Sequence, residues 1–249
     1  MKTSLTTIFL LISILCFTQL ENYYENGQVK TSLVRENDLV KTTSYYQNGN
    51  IRDVGYFDLD DRRQGKWKEY YENGNLFCEG SFLNGKQNGK WYELYENGQL
   101  KRTGNQSDGK RNGIWKYYHE NGQLKGEGNY VNEKENGIWK VYYDNGQLEK
   151  EGNVINGKQN GIWKYYHENG QLHFEGNFID DKQNGIWKMY RLNGQLKNEG
   201  NFIDGKQNGI WKYYHENGQL SFKVNFNMGE VKEETCWDKE GNEIKCEEK

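Results

Sequence analysis

Tryptophan returns at a constant interval of 24 residues through most of this chain. An Asn-Gly pair follows each of these tryptophans and keeps the same interval. A fixed period of this length indicates a repeat protein, in which each unit buries its apolar side against its neighbours. A catalytic site needs a unique cluster of residues, and a repeating chain offers few unique positions. The tryptophans to which we assign a structural role are Trp67, Trp91, Trp115, Trp139, Trp163, Trp187 and Trp211.

The composition agrees with a thin β-structure. Apolar residues make up 34% of the 249 residues, below the share of about 45–50% that is usual for globular proteins. Aromatic residues reach 15%, and proline is absent. Few aliphatic and many aromatic side chains favour a sheet covered by rings over a thick core. The net charge is −3 with no basic block, so we expect no nucleic-acid partner.

One clean repeat, residues 163–186, reads as two strands and two turns. Residues 163–167 are strand formers, and Asn169-Gly170 is a strong hairpin signal that predicts a type I′ turn. A second strand is expected over about residues 171–179, and a second turn then returns the chain to Trp187. The predicted fold is therefore all-β: an elongated antiparallel meander of stacked β-hairpins with a 24-residue repeat.

The predicted turn fixes a register for the hairpin. Pairing Glu168 with Gln171 places His167 opposite Leu172, Lys164 opposite Glu175 and Trp163 opposite Gly176, with the tryptophan covering a residue that has no side chain. The Lys–Glu pair recurs as Lys140–Glu151 and Lys188–Glu199, which favours this register because a slip of one residue would scatter the apolar set. The apolar face then carries Trp163, Tyr165, His167, Leu172 and Phe178.

The opposite, charged face carries a column of tyrosines that is our candidate partner-binding site. Tyrosine is enriched at protein interfaces because it offers contact area and a polar tip at low entropic cost. The alternative interpretation is that these rings only cover neighbouring strands. The column consists of Tyr70, Tyr118, Tyr142, Tyr166, Tyr190 and Tyr214.

The N-terminus differs from the repeats. Lys2 precedes an apolar stretch over residues 5–17, which has the form of a secretory signal peptide. We predict a signal peptide over residues 1–18, repeats over 19–235 with tryptophan-bearing copies from about residue 65, and a capping hairpin with a charged tail over 236–249. The chain is then exported to the periplasm, cell envelope or outside, and the alternative is a lipoprotein acylated on Cys16.

Three cysteines follow the predicted signal peptide. Cys236 and Cys246 flank a turn-like segment, and in a hairpin centred on Gly241 they would face each other. A disulfide there suits an oxidising compartment, and two unpaired thiols are the alternative. Cys78 lies at a variable repeat position, which argues against a catalytic role.

Other candidate sites are unfavourable. The histidines at one repeat position lie two repeats apart, about 20 Å on the strand spacing, too far to share a metal ion with bonds of about 2 Å. Residues 204–209 have a lysine where a calcium loop needs an oxygen ligand. No phosphate loop or catalytic triad is present, so we predict a non-enzymatic protein with no metal and no cofactor. The histidines are His119, His167 and His215.

The repeat units also resemble a known family. The patterns Tyr-Tyr-x-Glu-Asn-Gly-Gln-Leu-x-x-Glu-Gly and Asn-Gly-x-Trp-Lys are similar to those of the MORN-repeat variant of the YwqK-like antitoxins, over about residues 21–226. This resemblance implies a ladder of β-hairpins and a non-enzymatic role in binding a protein partner. It also implies that the partner is a toxin, neutralised by direct contact. MORN repeats elsewhere are linked to scaffolding and membrane-proximal attachment.

Two other functions stay open from the sequence. Tryptophan- and tyrosine-rich repeats also occur in modules that bind carbohydrate or the cell wall, although those use shorter units. An envelope scaffold with membrane contact is the other alternative, and the near-neutral charge weakens it.

Overall fold

The computed structural model describes residues 19–246, and this part of the chain consists of β-strands joined by tight turns. It contains no α-helix, which confirms the all-β prediction for the described residues. The predicted signal peptide, with Cys16, and residues 247–249 of the charged tail lie outside the described residues.

The chain divides into two compact units, Met1–Gly122 and Gln123–Lys249. The described strands of the first unit are β1 (Gln19–Tyr23), β2 (Val29–Glu36), β3 (Leu39–Tyr45), β4 (Ile51–Asp58), β5 (Arg63–Tyr70), β6 (Leu76–Leu83), β7 (Lys86–Gln87), β8 (Gly89–Leu94), β9 (Leu100–Ser107) and β10 (Lys110–Tyr118). Those of the second unit are β11 (Leu124–Val131), β12 (Lys134–Tyr142), β13 (Leu148–Ile155), β14 (Lys158–Tyr166), β15 (Leu172–Ile179), β16 (Lys182–Tyr190), β17 (Leu196–Ile203), β18 (Lys206–Tyr214), β19 (Leu220–Asn227), β20 (Glu230–Trp237) and β21 (Glu243–Ile244).

Within each unit, every strand pairs antiparallel with the next strand along the chain, as the meander requires. The one local break lies in the first unit, where β6 pairs with both β7 and β8. The prediction of stacked antiparallel hairpins is therefore confirmed.

The middle of the predicted register is confirmed. In the β14–β15 pair, Trp163 lies opposite Gly176 and Lys164 opposite Glu175. The pairing also continues backwards, because Trp163 lies opposite Gly152 and Lys164 opposite Glu151 in the β13–β14 pair. The tryptophan strand β14 thus has a glycine opposite its tryptophan on both sides.

The turn end of the predicted register is wrong. The nitrogen of His167 donates to the oxygen of Gln171 at 2.8 Å, and the nitrogen of Gly170 donates to the oxygen of His167 at 2.8 Å. Of the Asn169-Gly170 pair only the glycine has a positive φ, 83°. This is a three-residue loop, a type I turn closed by a glycine bulge, and not the two-residue type I′ turn. The extra residue moves Leu172 opposite Tyr166 instead of His167.

The type I′ geometry occurs at the other turn of each repeat. Ile179 and Lys182 pair directly across a two-residue loop, and both loop residues, Asp180 and Asp181, have positive φ values of 48° and 68°. Aspartate, asparagine and glycine tolerate this left-handed conformation better than other residues. The repeat therefore alternates two different turns, and the predicted type I′ turn at Asn169-Gly170 is wrong.

The tryptophan rings lie on the glycines of the preceding strand. A Cβ atom added to Gly152 would come within 2.2 Å of the Trp163 ring, and one added to Gly176 within 2.1 Å of Trp187. The prediction that tryptophan covers a glycine is thus correct, but the glycine under Trp163 is Gly152 and not Gly176. Only glycine leaves room for an indole against the backbone, which explains why both residues share one period.

A phenylalanine separates Trp163 from Trp187, and another separates Trp187 from Trp211. The Phe178 ring stands edge-on to Trp163 and Trp187, with centroid distances of 6.5 and 5.1 Å. These rings, with Val154, form a buried cluster. Edge-to-face contacts are favourable because the positive rim of one ring meets the negative face of the other. The face that carries these rings is called the tryptophan face below.

The first unit begins with repeats that lack tryptophan, and aliphatic residues fill their interior. Val40 is 1% and Leu33 5% exposed. From β5 onward the tryptophan packing is the same as in the second unit: a Cβ atom on Gly55 would lie 2.2 Å from the Trp67 ring.

Candidate binding face

The face opposite the tryptophans carries one continuous column of alternating lysines and glutamates in the second unit. Lys140 lies opposite both Glu127 and Glu151, and Lys164 lies opposite both Glu151 and Glu175. The Nζ of Lys140 is 3.6 Å from a carboxylate oxygen of Glu151, and both side chains are partly exposed. Such exposed pairs each contribute about 0.2–1 kcal/mol. The column therefore mainly specifies the register of the strands and gives this face a balanced charge. The face that carries the column is called the charged face below.

The candidate tyrosines of the second unit are half-buried. The hydroxyl of Tyr214 donates to a carboxylate oxygen of Glu199 at 2.8 Å. Burial, and then this bond, raises the pKa of the Tyr214 hydroxyl to about 12. The hydroxyls of Tyr166 and Tyr190 likewise donate to glutamates, both at 3.2 Å. Each of these three tyrosines therefore forms a hydrogen bond with a glutamate 15 residues earlier in the chain, and its ring stays partly exposed to solvent.

A row of exposed isoleucines runs beside the charged column, and the sequence analysis missed it. In each tryptophan-bearing repeat, the residue two positions before the tryptophan is a glycine with positive φ, such as Gly185 at 81°, and the register with the preceding strand shifts there. The next residue, Ile186, stays paired with Asn201 of β17 and lies on the face opposite Trp187, as alternation along the strand requires. The isoleucine row of the second unit consists of Ile138, Ile162, Ile186 and Ile210, which are 59, 59, 66 and 54% exposed.

A shallow groove lies between Ile186 and Ile210 of this row, and its volume is about 410 Å³. Its floor contains Gly200 and Asn201, and Glu199 also lines it. A row of apolar projections with a groove between two of them, beside a column of charges, is a surface onto which side chains of a partner can pack. The signal for this row was present in the sequence, since Ile immediately precedes Trp in each of these copies.

Consecutive repeats are also joined through the residue four positions after each tryptophan. The hydroxyl of Tyr71 donates to the backbone oxygen of Leu94, and that of Tyr143 to the oxygen of Tyr166, both at 2.8 Å. These bonds connect a turn to the end of a strand in the next repeat. Such a bond is also made by Tyr24, Tyr46, Tyr95, Arg191 and His215, among other residues.

The histidines share this joining position. The Nε2 of His215 is 2.9 Å from the backbone oxygen of Trp237. The His167 ring instead stacks on His173, with centroids 4.1 Å apart. Burial lowers the pKa of His173, and the neighbouring His167 lowers it further. Within residues 19–246 no group of three or more histidine, cysteine or acidic side chains is close enough to hold a metal ion.

The described cysteines have distinct environments. Cys236 and Cys246 form a disulfide, with Cα atoms 5.4 Å apart. Cys236 lies directly opposite Ile244 rather than opposite Cys246, so the bridge reaches two residues beyond the paired position. Cys78 is buried, and burial raises the pKa of its thiol to about 12. Such a thiol is almost entirely protonated near neutral pH and is a poor nucleophile.

Comparisons with known proteins recover the repeat. A family model described as the MORN repeat variant matches residues 63–84, 87–107, 111–132, 135–156, 159–180, 183–204 and 207–228. No curated protein sequence matches the chain. Among the described strands and turns there is no helix of the length and apolar character needed to cross a membrane.

Some solved structures share local similarity with the chain. One is the pore form of the Photorhabdus luminescens Tc holotoxin with a mutation in TccC3, at 13% identity and a TM-score of 0.23, covering 88% of this chain and 14% of that one. Another is the TcdB2–TccC3 complex, at 12% identity and a TM-score of 0.21, covering 90% of this chain and 14% of that one. The chain thus spans about a seventh of the length of these proteins.

Proposed function

Since the chain belongs to the MORN repeat variant family, we propose that it is an exported, non-catalytic protein that holds a protein partner on its charged face. The observation that carries this proposal is the isoleucine row, with four side chains that are 54–66% exposed. Burying such side chains against a partner removes apolar surface from water, worth about 25 cal/mol per Å².

The tyrosine column and the lysine–glutamate column also support the charged face as the binding surface. Half-buried tyrosines are fixed by their bonds to glutamates, so little side-chain entropy is lost when a partner covers them. The alternating lysines and glutamates offer both signs of charge, which gives orientation and register to a partner more than raw affinity. The candidate tyrosines of the second unit therefore belong to the proposed surface together with the isoleucines.

The resemblance to YwqK-like antitoxins supports a toxin as the partner, neutralised by direct contact. The isoleucine row is suited to this role because a repeated surface covers a partner over several adjacent contacts without any catalytic group. Export is supported by the sequence over residues 1–18 and by the Cys236–Cys246 disulfide, because disulfides persist in oxidising compartments.

The test compares two exposed aliphatic residues. Ile186 is 66% exposed in the isoleucine row, and Leu192 is 64% exposed in a turn outside it. The tagged chain carrying Ile186→Lys or Leu192→Lys is expressed in the native host, and proteins that copurify are identified by mass spectrometry. We expect a specific protein with the parent chain and with Leu192→Lys, and its loss with Ile186→Lys.

Absence of any specific protein, or equal recovery with both variants, would contradict the proposed face. The captured protein is then expressed alone and together with the chain. A toxin should arrest growth alone and lose that effect in the pair. Cell fractionation and N-terminal sequencing test export, for which a mature chain beginning at Gln19 is expected.

A further inference from the structure

The last repeat departs from the others at the positions that build the tryptophan face. Where interior repeats place a tryptophan opposite a glycine, β19 and β20 place Glu234 opposite Val224. Phe226 occupies the position of the phenylalanines that lie between two tryptophans, and it contacts Trp211 at a centroid distance of 6.4 Å. The residue 24 positions after Trp211 is Thr235, which pairs with Lys223, so the place opposite Val224 that a tryptophan would take holds the carboxylate of Glu234.

A cavity of about 860 Å³ lies at this point. Small-molecule sites are typically about 300–1,000 Å³. The rings of Tyr213, Phe222 and Phe226 line it, and Val231 and Ile244 form apolar walls. The ring centroids of Tyr213 and Phe222 are 5.7 Å apart, and the ring planes are inclined by 47°. The two rings are therefore not stacked on each other.

Glu234 is the acidic and Lys245 the basic residue of this lining, and the segment around them is acidic overall. Residues 230–246 contain six acidic and three basic side chains, so this short segment has the same net charge of −3 as the whole chain. Aromatic faces attract cations through their negative quadrupole. A carboxylate beside three aromatic rings, in a negative local field, therefore selects a positively charged ligand.

We propose that this end cavity, defined by Tyr213, Phe222, Phe226, Val231, Glu234 and Ile244, binds an organic ammonium cation that carries an apolar or aromatic group. The apolar group packs against the rings and aliphatic walls, and the ammonium lies toward Glu234. The wall on the side of β21 is held in place by the Cys236–Cys246 disulfide, which also lines the cavity. The site is separate from the isoleucine row and does not depend on the proposed protein partner.

The test uses three probes of nearly equal shape: phenethylammonium, neutral 2-phenylethanol and anionic 3-phenylpropionate. Binding to the oxidised full chain is measured by ligand-observed NMR titration. We expect saturable binding of phenethylammonium, binding at least about threefold weaker for the alcohol, and the weakest binding for the anion, as the cation–aromatic and ionic contributions predict.

Two substitutions separate the site from non-specific binding. Glu234→Gln should remove the preference for the cation over the alcohol. Val231→Lys should abolish binding of phenethylammonium, and because Val231 is 55% exposed the fold should be retained. Ile179→Lys, at a residue 50% exposed elsewhere in the second unit, is the matched control.

No saturable binding, equal binding of the three probes, or binding unchanged by both Glu234→Gln and Val231→Lys would each overturn the proposal. Circular dichroism of the variants confirms that any loss of binding is not a loss of folding.

Discussion

The interior of the second unit and its C-terminal end are built on the same pairing but with different residues. In the interior, Gly176 lies opposite Trp187 and beneath its ring. At the end, the equivalent positions hold Val224 and Glu234, and Val224 is 1% exposed. The valine side chain fills space that an indole ring fills elsewhere. Tryptophan and glycine are therefore one packing unit, and the chain changes both together.

The charged column changes at the same place. Lys212 lies opposite Glu199 on one side, as in the interior, but opposite Lys223 on the other. The Nζ of Lys223, which stands where the interior has a glutamate, lies 5.8 Å from the ring centroid of Trp237 and so contacts an aromatic face. Terminal repeats of this kind close a stack of repeats, because their outer side has no neighbour to cover it.

The largest effect that separates the two regions is expected from the tryptophan position. Trp187→Ala removes a ring that is 5% exposed and should lower the free energy of unfolding by about 3–5 kcal/mol. Glu234→Ala, at the equivalent position of the end repeat, should change it by less than about 0.5 kcal/mol because that side chain is exposed. Urea denaturation of both variants measures the difference. Similar losses would show that the end repeat is packed like the interior.

A smaller but more specific effect is expected from the glycine position. Gly176→Val places side-chain atoms where the Trp187 ring lies and should cost about 1–3 kcal/mol through overpacking. In the double variant Gly176→Val, Trp187→Glu, which copies the end repeat, the valine no longer meets an indole. Because the two residues are in contact, the double variant should be more stable than the sum of the single losses predicts. Additive losses in urea denaturation would contradict the packing unit.

The sequence was sufficient for features that depend on period and strand pairing. The 24-residue interval and the recurring Lys–Glu pairs fixed the antiparallel meander and the Lys164–Glu175 register, because a one-residue slip would reverse every side chain. The turn types were harder to predict from the sequence, because an Asn-Gly pair suits both a type I′ turn and a type I turn with a glycine bulge. Only the hydrogen bonds at His167 distinguish these geometries.

The candidate face was predicted in part. The structure places Tyr166, Tyr190 and Tyr214 beside the glutamates of the charged face. The exposure of Ile186 was missed because faces were assigned only from the tryptophan onward, although alternation from Trp187 places Ile186 on the same face as Lys188. The cavity at Glu234 was missed for a different reason. The last repeat lacks the tryptophan and glycine of the 24-residue pattern, so the pattern gave no prediction for that position.

The smallest expected effect concerns the tyrosine column, in which Tyr214 is the last member before the end repeat. The folded-state pKa of about 12 lies above the value of about 10 for an unfolded tyrosine. The protonated hydroxyl therefore contributes stability that is fully present below pH about 10 and is lost as the pH rises toward 12. The stability difference between the parent chain and Tyr214→Phe should shrink across this interval. A difference titration of absorbance at alkaline pH, parent minus Tyr214→Phe, should show one tyrosine that ionises with a pKa near 12. A midpoint near 10 would mean that the bond to Glu199 does not hold the hydroxyl protonated, and that this tyrosine is free to turn toward a partner.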